Sequence, residues 1–145
     1  MIDGILLTSL RIIPTPGGSV LHAMKQNDPG FTGFGEAYFS TVESGAIKPW
    51  RRHLRMTVNL IVPVGEIRFV LHDDRSGSSS RGAFEEIRLS RHDNYQRLTV
   101  PPGIWVAFQG IGAAENMLLD IADLPHDPEE AERRPLEFFN FDWKA

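Results

Sequence analysis

The chain has 145 residues, 41% of them hydrophobic and 23% charged, values typical of a single globular domain. Its formal net charge of −4 argues against a surface that binds nucleic acid or an anionic membrane. Cysteine is absent, which excludes disulfides, thiol nucleophiles and thiolate metal sites. No apolar run approaches the ~20 residues of a membrane span, and the first residues lack a signal-peptide pattern. We therefore expect a cytoplasmic protein.

Short strands separated by turn-forming residues are predicted at the start of the chain. The first covers Ile5–Ile13, and the prolines and glycines that follow end it. Residues 22–26 fit either a helical turn or the start of a strand, and residues 27–35 are typical of a loop. Glu36–Val42 is the next predicted strand.

The central stretch, Gly45–Asp74, combines a cluster of cations with two β-rich runs. The cations come first: Lys48, Arg51, Arg52, His53 and Arg55. In the runs Met56–Pro63 and Glu66–His72 that follow, side chains alternate between the two faces of a strand. One face of each run is therefore predicted to be buried and the other to line something polar. Cations in front of a β core indicate a small barrel or sandwich that holds an anionic ligand.

Four further strands are predicted after a flexible connection: Ala83–Ser90, Tyr95–Val100, Ile104–Ile111 and Asn116–Ile121. Seven to nine short strands with almost no helical periodicity are typical of an all-β fold. For this length a jelly-roll barrel, in which two sheets close on each other, is the expected form. We expect one domain over residues 1–145, with its core at about 35–125. The aromatic tail, residues 136–145, is expected to pack on the barrel or on a second subunit.

Four passages carry motifs of a known family. Asn59–Arg75 (NLIVPVGEIRFVLHDDR) is similar to K-L-V-R-V-x-x-G-E-V-F-D-V-x-V-D-x-R, and Gln96–Gln109 (QRLTVPPGIWVAFQ) to x-Q-L-W-I-P-P-G-F-A-H-G-F. Glu115–Glu130 (ENMLLDIADLPHDPEE) is similar to A-E-F-L-Y-K-x-T-D-Y-Y-S-P-E, and Gly45–Trp50 (GAIKPW) lies where the family has G-V-L-R-G-L-H. Over residues 35–130 the chain thus resembles the cupin-fold dTDP-4-dehydrorhamnose 3,5-epimerases and related sugar-nucleotide epimerases and ketoisomerases.

This resemblance implies a double-stranded β-helix, usually a homodimer, that holds a nucleotide sugar inside the barrel without a metal or another cofactor. It also implies proton abstraction next to a C4 ketone, with a His–Asp pair as the base. A Tyr on the other side then supplies the proton that returns.

The family's proton-transfer residues fall on other residue types here. Aligned without a gap, its catalytic His falls on Arg51, its acid Tyr on Leu119 and a further His on Val106. Arginine is no neutral base because its pKa exceeds ~12, and leucine has no proton to donate. The Asp that pairs with the catalytic His belongs to a C-terminal region that we expect this chain to lack. The family's substrate-binding Arg falls on Lys48, which retains phosphate binding as an expectation.

His53 is the candidate base, since histidine alone titrates near neutral pH unaided and His53 shares the strand parity of Arg51. The alternative interpretation of His53 is a surface residue in a basic loop. Tyr38 is the candidate acid, or else a core or interface tyrosine. Asp120 is unusual in the apolar strand MLLDIA and is expected to face the pocket near His53.

The candidate phosphate ligands are Lys48, Arg51, Arg52 and Arg55, since guanidinium groups match phosphate oxygens in bidentate geometry. Their alternative is a solvated cationic loop. Alternation places Arg51, His53 and Arg55 on one face and Arg52 on the other. Asn59 and Arg68, on polar strand faces, are further candidate ligand contacts, with a solvent-facing role as the alternative for Arg68. No His-x-His pair occurs, so no metal is expected. A P-loop and a dinucleotide fingerprint are also absent from the sequence.

Three hypotheses follow for the function. The first is an epimerase or isomerase of a nucleotide-bound 4-keto-6-deoxy sugar, with His53 as base assisted by Tyr38 or Asp120. The second is a non-catalytic cupin that binds a sugar nucleotide or serves as a partner subunit, because the aligned proton-transfer residues are lost. The third is a metal-dependent cupin of small-molecule metabolism.

Overall fold

Twelve strands and two single-turn 3₁₀ helices form the computed structural model, which describes residues 1–144. The strands are β1 (Leu6–Ser9), β2 (Ile12–Thr15), β3 (Gly18–Leu21), β4 (Glu36–Val42), β5 (Ile47–His53), β6 (Val58–Val64), β7 (Glu66–Asp73), β8 (Phe84–Ser90), β9 (Gln96–Val100), β10 (Ile104–Gly110), β11 (Asn116–Ala122) and β12 (Ala131–Arg133). The 3₁₀ helices cover Pro128–Glu130 and Leu136–Phe138. Across residues 1–144, no helix has the length and apolar character needed to span a membrane.

Two five-stranded antiparallel sheets make up the body of the protein. The first has the order β1-β9-β6-β11-β4 and the second the order β12-β5-β10-β7-β8. Strands β2 and β3 form a separate hairpin. Apart from β7 and β8, neighbours in each sheet are not consecutive in the chain, as in a jelly roll. The predicted all-β double-stranded β-helix is therefore confirmed.

The main core fills the space between the two sheets. Apolar residues at alternate positions of β6 and β7 point into it, among them Leu60, Val62, Phe69 and Leu71. The period-two alternation of these runs predicted this inward face correctly. The opposite face is also buried, however, and Arg68 on β7 has only 3% of its surface exposed.

The aromatic tail explains why the outer face of the second sheet is buried. Trp50, Val70, Trp105 and Ala107 form a second apolar cluster on that face. Four side chains of the tail pack against it: Leu136, Phe139, Phe141 and Trp143. Residues 136–144 of the tail thus pack on the second sheet of the same chain. Ala145, the last residue of the predicted tail, lies outside the described residues.

Local structure differs from the sequence prediction at both ends of the chain. The predicted strand Ile5–Ile13 is divided into β1 and β2. The pairing of β1 with β9 ends at Ser9, and the Leu10 N–H then donates to the Tyr95 carbonyl, outside β9. β2 then turns back into β3 through Gly17, whose φ of 83° favours glycine. Near the other end, β12 was not predicted, and it pairs with the basic strand β5.

Candidate functional site

A cavity of about 760 Å³ opens between the two sheets, a volume within the usual range for sites that bind small molecules. The first sheet contributes Tyr38 from β4 and Asp120 from β11. The second sheet contributes Lys48, Arg51 and His53 from β5. Apolar side chains line much of the remaining wall: Val58, Leu60, Val100, Ile104, Val106, Phe108 and Leu118. Further polar side chains at the wall are Glu36, Ser40, Thr41 and His126. Ionisable groups from both sheets therefore face each other across a partly apolar space.

His53 is held by a buried carboxylate. Its Nδ1 lies 2.7 Å from Oε1 of Glu130, which follows Asp127 and Pro128 in the first 3₁₀ helix. The other oxygen of Glu130 accepts the backbone N–H groups of Arg55 and Met56, each at 2.8 Å. These contacts fix both the carboxylate and the ring that it orients.

The charge of Glu130 determines which nitrogen of His53 is free. Burial alone would raise the pKa of Glu130, but hydrogen bonds from Arg55, His53 and Met56 outweigh it and lower that pKa below its ordinary value. Glu130 is thus ionised at neutral pH and only accepts hydrogen bonds. Nδ1 of His53 must then carry the proton, which leaves Nε2 as a base.

Tyr38 and Asp120 form a second pair on the facing sheet. They are register partners on β4 and β11, and the Tyr38 hydroxyl donates to Oδ2 of Asp120 at 3.1 Å. Oδ1 of Asp120 is buried without a hydrogen-bond partner among the described residues. One oxygen of this carboxyl group therefore remains available to a ligand.

Burial shifts both members of this pair towards their protonated forms. It raises the pKa of Asp120 to about 6, although the hydrogen bond from Tyr38 and the charges of His53 and Arg51 oppose the rise. Burial, followed by the charge and hydrogen bond of Asp120, raises the pKa of Tyr38 to about 12. Tyr38 thus keeps its proton at physiological pH, and Asp120 titrates close to it.

The predicted cation cluster is divided by the strand. Lys48 and Arg51 line the cavity, and Arg133 from β12 joins them there. Arg52 points to the other face, where it bonds Asp74 at 3.1 Å and Glu132 at 2.6 Å. This is the division that alternation predicted for Arg51 and Arg52. Arg52 lies outside the cavity lining, and its role as a phosphate ligand stays a prediction.

Arg55 also lies outside the cavity lining. The strand ends at His53, so alternation no longer applies two residues later, and the Arg55 side chain is 65% exposed beside Asp127. The Arg55 side chain therefore lies apart from Lys48 and Arg51, with which the sequence grouped it as a candidate phosphate ligand.

Asn59 and Arg68 are buried, and both lie outside the cavity lining. Asn59 donates to the Gly30 carbonyl at 3.0 Å and accepts from the Thr99 hydroxyl at 2.6 Å. Arg68 lies under the aromatic tail, where it bonds Glu86 and, at 2.9 Å, the Trp143 carbonyl. Other segments cover the faces on which Asn59 and Arg68 lie, so neither side chain reaches the cavity lining, and their contact with a ligand stays a prediction.

Sequence reasoning missed the two residues that the C-terminal segment adds to the site. Glu130 lies 77 positions after its hydrogen-bond partner His53. Arg133 lies 82 positions after its register partner Arg51. Asp127-Pro128 marks the start of a turn, and the Asp127 side chain caps it by accepting the Glu129 N–H. This signal predicts a turn, but it does not predict that the turn packs against β5. Within residues 1–144, no group of three or more His, Asp or Glu side chains is arranged to hold a metal ion.

The chain is similar in sequence and fold to several known proteins. A dTDP sugar isomerase from Desulfovibrio desulfuricans G20, of known crystal structure, is 40% identical with a TM-score of 0.94 over 98% of this chain and 92% of that one. The probable low-salt glycan biosynthesis epimerase Agl13 of Haloferax volcanii is 25% identical over 114 residues, 75% of this chain and 72% of that protein. No protein-family model matches the chain.

A more distant structure shares the fold alone. It is the dTDP-6-deoxy-D-glucose-3,5-epimerase of Legionella pneumophila Philadelphia 1 in complex with dTDP-4-keto-L-rhamnose, 20% identical with a TM-score of 0.80 over 92% of this chain and 73% of that one. Fold and cavity together define a cupin with an ionisable site between its sheets. The chain belongs to the family of the dTDP sugar isomerase from Desulfovibrio desulfuricans G20.

Proposed function

We propose that this protein is an epimerase or isomerase of a nucleotide-bound 4-keto-6-deoxy sugar, with a dTDP-sugar as substrate. The observation that carries the proposal is the placement of His53, oriented by Glu130, on one sheet and of the Tyr38–Asp120 pair on the facing sheet. A base on one wall and a proton donor on the other are what inversion at a carbon next to a ketone requires.

The reaction begins with proton transfer to His53. Nε2 takes the proton from a sugar carbon next to the C4 carbonyl, and the C–H electron pair forms the C–C double bond of an enolate. The negative charge moves to the carbonyl oxygen, where the positive charge of Arg51 stabilises it. Glu130 stabilises the imidazolium that His53 has become.

The proton that returns determines the product. Delivery from Tyr38 to the same carbon, on the face opposite His53, closes the carbonyl again and gives the epimer. Delivery to C4, with transfer of the neighbouring hydroxyl proton to the C4 oxygen, moves the ketone by one carbon and gives the isomer. Asp120 lies beside Tyr38 and returns a proton to its hydroxyl in either case.

The observed pairs weigh against the hypothesis of a non-catalytic cupin. That hypothesis rested on the loss of the aligned His, Tyr and Asp. His53 replaces the missing base two residues along the strand, and Glu130 replaces the missing carboxylate partner. Leu119 faces away from the cavity lining, whereas its neighbour Asp120 and the register partner Tyr38 occupy the facing wall.

A homodimer is the expected assembly. β4 is an edge strand of the first sheet, and on it Phe39 has 64% of its surface exposed next to its register partner Leu119. Phe34 is 66% exposed. Large exposed apolar residues on a sheet edge favour association with a second copy. Light scattering of the native protein and of Phe39→Glu tests this: the dimer mass should fall to the monomer mass in the variant.

Proton exchange tests the proposed chemistry. The purified protein is incubated with dTDP-4-keto-6-deoxyglucose in deuterated water and followed by proton NMR. Loss of the C3 or C5 proton signal establishes enolisation, and new sugar resonances separate an epimer from a ketone isomer. Binding without any exchange would leave the non-catalytic hypothesis in place.

Two histidine variants connect the exchange to the site. His53→Gln should slow exchange by about 10²- to 10⁴-fold, the usual contribution of a general base. His92→Gln, in the exposed turn after β8, is the matched control and should exchange at the native rate. Equal rates in His53→Gln and the native protein would remove His53 from the mechanism.

A further inference from the structure

Strand β5 connects the wall that carries His53 with the aromatic tail on the other side of the sheet. His53 lines the cavity, whereas the fully buried Trp50 belongs to the apolar cluster under the tail. The segment that brings Glu130 to His53 pairs with β5 as β12 and then continues as the tail. One strand therefore contacts both the group that orients His53 and the end of the chain.

β12 is a weak attachment by itself. It has three residues, Ala131–Arg133, and lies at the edge of its sheet, paired with β5. Each backbone hydrogen bond adds little net stability, and the last residues of a domain stay poorly ordered unless other contacts tie them down. The position of Glu130, one residue before β12, therefore depends on what holds the chain after the strand.

Trp50 holds the start of the tail through three contacts. Its carbonyl accepts the Arg134 N–H at 3.0 Å, and its indole N–H donates to the Leu136 carbonyl at 3.0 Å. The Phe139 ring then packs edge-on against the indole, with the ring centroids 5.3 Å apart. The residue next to Arg51 on β5 thus anchors the first residues after β12.

Phe139 extends this attachment across the sheet. Its ring centroid lies 5.5 Å from that of Trp105 on β10 and 4.4 Å from that of His72 on β7. With Trp50 on β5, the ring contacts three adjacent strands. Aromatic pairs of this kind favour particular geometries as well as burying apolar surface. Phe139 therefore fixes the path of the tail relative to the sheet.

We propose that Phe139 and Trp50 are positioning residues for the base. By holding the tail on the outer face of the sheet, they keep β12 paired with β5 and the Glu130 carboxylate against Nδ1 of His53. This inference rests on the proposed function and adds to it a part of the chain on the opposite side of the sheet from the cavity. Phe139 lies outside the cavity lining and acts through Glu130.

The expected consequence of loosening the tail is a change in the tautomer of His53. Glu130 keeps the proton on Nδ1 through the 2.7 Å contact. If β12 separates from β5, the carboxylate moves away with it, and the neutral ring distributes its proton between both nitrogens. The fraction of His53 with a free Nε2 then falls, and so does the rate at which it removes a proton.

Two measurements test the proposal in the same variants. Imidazole ¹⁵N NMR of the ligand-free protein reports the tautomer of His53, and the NMR assay in deuterated water reports sugar-proton exchange. In Phe139→Ala the Nδ1–H form should give way to a mixture, and exchange should fall about 10- to 100-fold. Phe139→Leu refills part of the space and should lie between Phe139→Ala and the native protein. Trp50→Phe keeps a ring but loses the N–H to Leu136, and it should also be intermediate.

Leu89→Ala is the matched control for the loss of buried apolar contacts. Leu89 is 1% exposed in the main core on β8, outside the cavity lining and the cluster under the tail. The substitution should lower the Tm about as much as Phe139→Ala, because both remove a large buried side chain. Its His53 tautomer and its exchange rate should stay native.

The outcomes separate this proposal from the proposed function. A native tautomer in Phe139→Ala, or an equal change of tautomer in Leu89→Ala, would overturn the positioning role. If Phe139→Ala does not fold, the same criteria apply to Phe139→Leu. If the tautomer follows Phe139 but the native protein exchanges no sugar proton, the positioning role stands and the enzymatic function fails. If the native protein exchanges the proton and Phe139→Ala matches it in rate and tautomer, the positioning role fails and the enzymatic function stands.

Discussion

Glu130 and Asp120 are both buried carboxyl groups at the same cavity, yet their surroundings drive them in opposite directions. Glu130 receives three hydrogen bonds, two from backbone N–H groups and one from His53, and its pKa lies below the ordinary value. Asp120 receives one, from Tyr38, and burial in an apolar strand raises its pKa to about 6. The number of donors, rather than the residue type, assigns the permanent anion to one wall and the titrating group to the other.

The difference has a direct chemical meaning. A permanent anion next to Nδ1 keeps His53 in the tautomer that accepts a proton at Nε2. A carboxyl group with a pKa near neutrality exchanges protons readily with Tyr38 and with solvent. In the proposed mechanism, one wall of the cavity thus removes a proton and the other returns one.

The substitution Glu130→Gln should have the largest effect on the rate of sugar-proton exchange. The amide keeps an oxygen for the N–H groups of Arg55 and Met56 but turns a donor towards His53, which reverses the tautomer. Sugar-proton exchange should fall about 10²- to 10⁴-fold with little change in Tm. Glu130→Ala is the companion variant and should lower both activity and stability, the latter by about 3 kcal/mol. Normal exchange in Glu130→Gln would show that the charge of this carboxylate is irrelevant.

Removing the Tyr38 hydroxyl should separate the two walls. Tyr38→Phe leaves His53 and Glu130 intact, so deuterium should still enter the sugar at a rate within about tenfold of native. The inverted or isomerised product should form about 100-fold more slowly, since the donor is absent. The measurement is one NMR time course that records both signals. Parallel loss of exchange and product would contradict the division of roles.

Asp120→Asn should stabilise the protein at alkaline pH. Because the folded pKa of about 6 exceeds the ordinary 3.8, Asp120 contributes fully below pH 3.8, and this contribution is lost as pH rises through 6. A shift of about two pH units corresponds to about 3 kcal/mol, so a gain of about 2 kcal/mol is expected at pH 8. Urea unfolding at pH 8 and at pH 3.5 measures it. A gain of the same size at both values would mean that burial of the charge is not its cause.

The smallest effect is expected at Arg55. Its backbone N–H serves Glu130, but its side chain forms only an exposed ion pair with Asp127 at 3.4 Å. Arg55→Gln should change stability by less than about 1 kcal/mol and the Kd for dTDP by less than two-fold. A Kd raised tenfold would restore Arg55 to the phosphate ligands that the sequence suggested.

Much of the fold follows from local pattern. The strand Glu36–Val42 was predicted at its observed limits, and alternation correctly placed Arg51 and His53 together with Arg52 opposite. The number of short strands and the chain length predicted two sheets that close on each other, and the family resemblance implied the double-stranded β-helix. Tyr38, Asp120 and His53 were predicted to share a pocket, and they line one cavity.

What could not be predicted depends on distant segments. Glu130 meets His53 across 77 positions, and no local periodicity encodes such a meeting. Arg68 has the alternation of a pocket residue, but an aromatic tail that begins nearly 70 positions later covers its face. Alternation tells which residues share a face but not what covers that face.

Glu130 and Arg133 follow β1 to β11 in the chain, which has a consequence for the order of synthesis. A ribosome that has translated β1 to β11 has made every strand of the two sheets except the edge strand β12. The nascent chain at that point contains His53 but neither the carboxylate that orients its ring nor the arginine of β12. In the proposed mechanism the base is therefore completed only after the other strands of both sheets, and a chain that stops after β11 is expected to lack sugar-proton exchange.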